Sequence, residues 1–368
     1  MKLLLITDAK IASKNGQSFI FNSIALELQH LNETYSECHV IGICSSYSAD
    51  LVKINGIKFS FTAINNDGVS LRGYSLKYLF DLIYNVFIKV LKFDVVHVRG
   101  PGLPMFVGLL ISIFFPQKKW WFKYANDWTQ NGKSFFWDLQ KKMLKSFFWV
   151  KVSLNGNWPN LPSHIINLEN PCIVANNKGV IRPRPSKEIV KIAYVGRLTL
   201  EKGVFIGFEA LDRLQKGNPK IRVEFIVIGD GPERKALSEL DCAISMSILG
   251  LQSKDYVLDL LSNCDLILLP TLSPEGFPKV IAEAMSVGCI PVVTNVSCIE
   301  EYIDNYENGF IIDSKDKDLI GQIFEILTYF LLMKDGVRNS MRLKAQDTAF
   351  NYFTYERFFE RVNNLILN

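Results

Sequence analysis

Histidine is scarce in this chain, with four among 368 residues, which leaves little material for a reaction run on imidazole acid/base chemistry. The seven cysteines are scattered, odd in number and without a C-x-x-C pair. Cys264, Cys289 and Cys298 sit beside apolar runs, where thiols pack as small hydrophobes, and this usage predicts a reducing cytoplasm. Long hydrophobic runs are also missing. The longest, Leu103 to Phe115, falls short of the ~20 residues that span a bilayer, so no transmembrane helix is predicted. Met1 to Ile6 is apolar, but Asp8 arrives before an adequate apolar h-region and no A-x-A-like site follows. The segment therefore reads as a first strand and not as a signal peptide. Charge of one sign is in short supply too: the net charge is +4 and no dense basic stripe runs along the chain, which excludes a dedicated nucleic-acid binder. Neither an internal repeat nor a low-complexity tract is present.

What is there suits two domains. With 48% hydrophobic residues, the length allows two cores of ordinary size. Lys2 to Thr7, Cys38 to Ile43, Val95 to Val98, Trp120 to Tyr124 and Val150 to Leu154 are short β-rich runs. Helical stretches such as Ser18 to Leu31 and Ser75 to Leu91 separate them, and this alternation predicts βαβ units and a parallel sheet. Asn176 to Lys187, with Gly179, two prolines and four basic residues, reads as a linker. A second α/β series follows, with strands expected at Ile189 to Val195, Arg222 to Ile228, Ala243 to Leu249, Asp265 to Pro270, Pro291 to Thr294 and Phe310 to Ile312. The expected domains are 1–180 and 186–345, with a C-terminal helix in 346–368 crossing back to the first.

The most informative stretch is Pro274 to Met285, which puts Glu275 and Glu283 eight residues apart around a helix start marked by Gly276 and Pro278. Upstream, Leu266 to Pro270 reads as a buried strand, and Pro278 suits the first helical turn, where a missing N–H costs nothing. Gly276 lets backbone approach a ligand, and the unpaired N–H groups at the positive end of the helix favour phosphate or sugar oxygens. Gly288 is expected to close this helix. Two further strand ends carry similar chemistry. Gly196-Arg197-Leu198 follows Ile192 to Val195, and Glu201-Lys202-Gly203 comes just after it. Arg197 and Lys202 thereby reach the carboxyl edge of the sheet, where ligands of open α/β sheets bind and where a departing diphosphate needs positive charge. Arg197 offers a bidentate contact and Lys202 a point charge. The third strand end is Gly229-Asp230-Gly231-Pro232, a glycine turn that reads as a further nucleotide site.

Together, Gly196-Arg197-Leu198, Glu201-Lys202-Gly203, Gly229-Asp230-Gly231-Pro232 and Glu275-x7-Glu283 resemble the retaining glycosyltransferases of family four, the glycosyl transferases group 1, across about residues 189–315. The resemblance implies the GT-B fold: α/β, two Rossmann-like domains whose parallel sheets face a central cleft. It implies an acceptor-binding N-terminal domain and a donor-binding C-terminal one. In the donor domain, Arg197 and Lys202 would hold the diphosphate, Glu283 the ribose hydroxyls, and Glu275 with the Gly276–Phe277 backbone the donor sugar. The N-terminal half departs from the family's pattern. Its usual double glycine after the first strand is here the single Gly16, and many relatives carry a histidine where this chain has Asn126 and Asp127. Those two residues and His97, at another strand end, are the expected acceptor or sugar contacts.

Asp316-x-Asp318 matches a D-x-D metal motif superficially, but it precedes an apolar helix and reads as a helix cap. With two cations for the diphosphate, no metal or other cofactor is expected. The sequence thus predicts a metal-independent, retaining hexosyltransferase that uses a UDP- or GDP-type sugar donor and acts on a glycan or lipid-linked glycan in the cytoplasm. Phe135 to Lys151 interleaves aromatics with lysines, which suits either an anionic membrane surface or an interior-facing helix with solvated lysines. Two alternatives stand beside this reading. One is a nucleotide-sugar epimerase, for which histidines are few. The other is a non-catalytic nucleotide-sugar-binding scaffold, against which the set Arg197, Lys202, Glu275 and Glu283 argues.

Overall fold

The computed structural model describes residues 1–15, 17–48, 51–53, 59–66, 74–125, 128, 135–156, 158, 160–181, 189–218, 220–273 and 276–364. The chain divides into two compact units, one of residues 1–168 with 359–368 and one of residues 169–358.

Unit one holds β1 (Lys2–Lys14), β2 (Gln17–Phe21), α1 (Asn22–Thr34), β3 (Glu37–Cys44), β4 (Leu51–Lys53), β5 (Phe59–Ile64) and α2 (Leu76–Lys92). β6 (Val95–Gly100), α3 (Leu103–Ser112), β7 (Lys119–Tyr124), α4 (Phe135–Ser146), β8 (Lys151–Leu154) and β9 (Ile165–Asn167) follow. Its parallel sheet runs β5-β3-β1-β6-β7-β8-β9. Strand order reverses at β1, which pairs with β3 on one side and β6 on the other.

The helix expected over Ser18 to Leu31 starts later, at Asn22, because Gln17–Phe21 is claimed by sheet pairing. β1 continues past a register shift between Ile6 and Lys10 into an arm that pairs antiparallel with β2, which in turn pairs with β4. The turn from Lys14 to Gln17 holds Asn15 at φ 52°, the left-handed conformation that two-residue hairpin turns demand. α2 begins where the sequence places it: Ser75 Oγ accepts from the Tyr78 N–H at 3.1 Å, capping the first turn.

Unit two holds β10 (Ile189–Val195), α5 (Val204–Gly217), β11 (Arg222–Ile228), α6 (Arg234–Ser238), β12 (Ser245–Ile248), α7 (Lys254–Ser262), β13 (Leu266–Leu269) and α8 (Lys279–Ser286). β14 (Ile290–Thr294), β15 (Phe310–Ile312), α9 (Leu319–Leu332), α10 (Asp335–Tyr352) and α11 (Tyr355–Val362) complete it, the last running on into the segment that belongs to unit one. All strands of its sheet, β12-β11-β10-β13-β14-β15, are parallel. This is the doubly wound order whose ligand crevice lies at the reversal point. Both faces are covered, so β13 reads as unbroken Leu-Ile-Leu-Leu. Leu266 and Leu268 pack into one core and Ile267 into the other, as a period of two requires. Each such side chain contributes about 1.5–3 kcal/mol on burial.

The division at 168/169 falls before the expected boundary at 180 because the intervening chain docks on unit two. Cys172 and Ile173 donate their N–H groups to the Phe353 carbonyl, and Tyr355 donates to the Ile173 carbonyl. α10 likewise stays with unit two and does not form part of the expected return helix of 346–368. Arg342 Nε donates to the Gly288 carbonyl and Gln346 to the Ser286 carbonyl. Unit one resumes at Phe359, whose ring stacks on His30 at 5.4 Å. Asp316 and Asp318 form the cap expected of them, with Asp318 Oδ1 accepting from Gly321 N–H at 2.7 Å and Asp316 Oδ1 from Asp318 N–H.

Candidate functional site

The carboxyl edge of the second sheet at its reversal, between β10 and β13, gathers the sequence motifs. β10 ends in a loop that closes with a short helical turn, Leu200–Lys202, and with Gly203 at φ 74°. A Cβ on Gly203 would lie 2.1 Å from the Pro270 carbonyl oxygen, so only glycine lets this loop press against the one after β13. Leu272 N–H then donates to the Glu201 carbonyl at 2.8 Å, and Thr294 Oγ1 donates to the Thr271 carbonyl. The two loops therefore form one hydrogen-bonded platform that leads into Gly276, Phe277 and Pro278, all buried, at the start of α8.

The two expected diphosphate cations differ in setting. Lys202 is 8% exposed, whereas the Arg197 side chain is 71% exposed and only loosely paired with Glu201 at 3.8 Å. An ion pair of that kind is weak and gives way readily to an anion. Tyr194 Oη anchors the loop beneath them, donating to the carbonyls of Arg197 (2.9 Å) and Lys202 (3.4 Å).

Gly229 and Gly231, expected at the donor site, are also required by loop packing. A Cβ on Gly229 would lie 1.8 Å from the Gly196 carbonyl oxygen, and one on Gly231 would lie 2.3 Å from that of Leu198. The glycines clear space for the neighbouring loop, to which Gly196 N–H and Leu198 N–H bind through the Ile228 and Asp230 carbonyls. Gly196 belongs to the same platform. The Phe277 ring is likewise turned into the core, stacked on Phe353 at 4.5 Å, so only its backbone is placed at the helix start. Pro278 takes the cap position ahead of Lys279, one residue before the expected first turn.

Glu283 stands on α8 with its carboxylate 3.0 Å from Lys254 Nζ. Lys254 also donates to the Cys172 carbonyl at 2.7 Å, and burial, reinforced by Glu283, pushes the Cys172 thiol up to about 12. The sequence reading missed Lys254. It opens α7 directly after the Ser253 cap, a place where a lysine looks like any solvated helix residue.

In unit one His97, expected among the acceptor or sugar contacts, is fully buried. Its ring stacks on Trp121 at 3.6 Å, with Nδ1 3.1 Å from the Trp121 carbonyl and Nε2 3.2 Å from Glu27. Burial, and then Lys123, lower its pKa to about 3, so it is neutral. Arg99 and Lys123 converge on the same Glu27 carboxylate. Where this sheet reverses, Asp8 follows β1's first run, and desolvation among the strand ends holds its carboxyl above the usual range against the pull of Arg99. Gly16, Asn126, Asp127 and Glu275 lie outside the described residues. Among the described residues no group of acidic, histidine and cysteine side chains could hold a metal ion, and no helix is long and apolar enough to cross a membrane. The aromatics of Phe135 to Lys151 are mostly half-buried, with Leu144 and Lys141 fully inside.

Residues 181–333 match the glycosyl transferases group 1 family. The chain is 27% identical over 163 residues to the phosphatidylinositol N-acetylglucosaminyltransferase gpi3 subunit of Schizosaccharomyces pombe, a stretch covering 43% of this chain and 35% of that protein. It is 26% identical over 181 residues to the N,N'-diacetylbacillosaminyl-diphospho-undecaprenol alpha-1,3-N-acetylgalactosaminyltransferase of Campylobacter jejuni, covering 48% and 45%. The matched stretches thus span less than half the length of these curated relatives. The crystal structure of Anabaena HepE in complex with UDP superposes with a TM-score of 0.71 over 99% of both chains, at 17% identity. Residues 181–333 thus resemble the glycosyl transferases group 1 family, and the chain has the GT-B fold.

Proposed function

We propose that the protein is a retaining glycosyltransferase that moves a hexose-type sugar from a nucleotide diphosphate donor, of UDP or GDP type, to a hydroxyl of a glycan or lipid-linked glycan. The carrying observation is the platform at the reversal of the second sheet. It sets Lys202 and Arg197 on a loop bonded through Glu201 to the segment that opens α8, the helix bearing Glu283. Lys202 and Arg197 stabilise the diphosphate as the sugar–phosphate bond breaks, because fixed charge in a partly dry site is strongest where negative charge develops. Glu283, held in place by Lys254, accepts from ribose hydroxyls. A leaving-phosphate oxygen takes the acceptor proton, so no side-chain base is assigned. The UDP bound by HepE and the undecaprenol-linked acceptor named for the Campylobacter relative support the donor and acceptor classes. Work at the cytoplasmic face of a membrane follows from such an acceptor.

Thermal shift against UDP, GDP, ADP and TDP and their sugars tests the donor class. A ligand that binds only the folded state at 100 times its Kd adds about 2.7 kcal/mol. The expected result is a shift for one base that is lost in Lys202→Ala; no shift with any nucleotide would overturn the reading. Turnover is expected to persist in EDTA, and activity lost to EDTA and restored by Mn²⁺ would refute metal independence.

A further inference from the structure

α2 buries Tyr78, Leu82, Val86 and Val90 against the sheet of unit one, yet its opposite side is also apolar. Leu76, Phe80, Ile83, Tyr84, Phe87 and Leu91 are 38–68% exposed. Their spacing of threes and fours puts them in one stripe along the helix. The stripe continues beyond α2: the Phe87 ring meets Phe115 edge-on at 5.3 Å, in the turn after α3 that holds Ile113 and Phe114, the latter 71% exposed. Trp149 Nε1 donates to Ser112 Oγ at the same corner, which brings in Phe148, 79% exposed. A continuous apolar surface of this kind on a folded domain marks a docking face.

The charge around it selects the occupant. From Leu76 to Lys119 the sequence carries Lys77, Lys92, Lys118 and Lys119 against two acids, Asp81 and Asp94, while Lys89 is on the side toward Glu37 and His39 of β3. Arg99, in the same span, is turned inward onto Glu27. Lys118 is fixed at the C-terminal end of α2 by its 2.7 Å bond to the Phe93 carbonyl, and Asp94 is occupied by the Lys2 N–H. A second copy of the chain, meeting this face through a two-fold axis, would set lysine rim against lysine rim. An anionic bilayer takes the aromatics into its headgroup boundary and the lysines onto its phosphates, so both features gain.

We infer that the exposed stripe of α2, with the Phe114 and Phe148 corner, is a monotopic docking surface for anionic phospholipid membrane. Of Phe135 to Lys151, the end at Phe148 is the part joined to this surface. The inference deepens the proposed transfer to a lipid-linked acceptor and rests on that reading for its purpose.

Flotation of the full chain with phosphatidylcholine vesicles, and with equal parts phosphatidylcholine and phosphatidylglycerol, tests it. The expected result is salt-sensitive binding to the anionic vesicles that Phe80→Ser with Phe114→Ser weakens about tenfold. Lys77→Glu with Lys92→Glu is expected to erase the preference for anionic lipid. Absence of wild-type flotation, flotation that the serine pair leaves intact, or a dimer in gel filtration that the serine pair dissociates would each overturn the inference. The nucleotide thermal shift, run on the same variants, separates the two readings. A retained shift with lost flotation localises the effect to docking, as expected of the variants. Normal flotation without any nucleotide shift in the wild type leaves the surface standing and removes the transfer reading.

Discussion

The two cations of the donor platform illustrate what a sequence motif conveys at the scale of a residue. Arg197 and Lys202 look equivalent on the page, yet one stands in solvent and the other is 8% exposed. Charge in the drier position acts through a lower effective dielectric, so on the proposed function Lys202 is the cation expected to carry more of the stabilisation of a leaving diphosphate. Lys202→Ala is expected to lower kcat about 10²-fold or more, the scale of removing a preorganised charge contact. Steady-state kinetics on the identified donor checks this, and near-normal turnover would refute the role. The glycines show the converse. Gly229, at φ 140° and with the Gly196 carbonyl oxygen 1.8 Å from where a Cβ would sit, is required by loop packing whatever it binds. Gly229→Ala should therefore cost about 3 kcal/mol of stability, from strain and overlap together. Urea unfolding measures that cost, and an unchanged midpoint would show that the loops part easily.

Elements meet through the buried carboxylate of Glu27. It sits on α1 and gathers His97 and Arg99 from β6 and Lys123 from β7, with its own side chain 3% exposed. Removing one member of a buried ionic cluster leaves the remaining charges uncompensated in a medium that solvates them poorly. Glu27→Gln is thus expected to cost about 3–5 kcal/mol, seen as a lowered unfolding midpoint for unit one, while nucleotide binding in unit two is unchanged. The same elements mark how far the sequence could be read. β10, β11 and β15 lie at the expected bounds because they are mostly apolar, and the charges that β10 and β11 do carry pair with one another, Lys191 with Glu224 at 3.5 Å. The edge strands β4, β5 and β9 escaped notice. They are short, and Phe59–Ile64 alternates so that its pairing with β3 is decided by long-range contact. Ser18–Phe21 fits a helix as well as a strand because its apolar residues suit either period, and Asn15-Gly16, a hairpin signal, settles the matter only once the antiparallel arm of β1 is known. The donor loops were legible because glycine, proline and charge follow each strand end directly. Glu27 and Lys254 were not, since an acid in α1 and a lysine opening α7 look like any solvated helix residue until the fold brings Glu27 to His97 and Lys254 to Glu283.

For the whole molecule, the scarcity of histidine concentrates the acid response in a few groups. His39 lies between β3 and β5, with Nδ1 2.5 Å from Ser60 Oγ and Nε2 2.9 Å from Thr62 Oγ1, and burial followed by Lys89 lowers its pKa to about 4. His97 is lowered to about 3 by burial and then Lys123. Both depart from an ordinary value of 6.5. Between 6.5 and those folded values the unfolded chain binds protons that the native chain refuses, so stability rises with pH across that window and falls on acidification. Each pH unit below 6.5 costs ~1.4 kcal/mol for each histidine, or about 4 kcal/mol for the two at pH 5, a large share of the 5–15 kcal/mol that domains possess. Most carboxylates titrate below this range, so the loss down to pH 5 belongs chiefly to the histidines. Both lie in unit one, so its unfolding transition should drop between pH 7 and pH 5 while that of unit two moves less. Calorimetry at the two pH values checks this. His39→Gln with His97→Gln, which keep polar side chains but cannot take up a proton, should flatten the difference in unit one. A transition that falls equally in the double variant would assign the acid response to other groups.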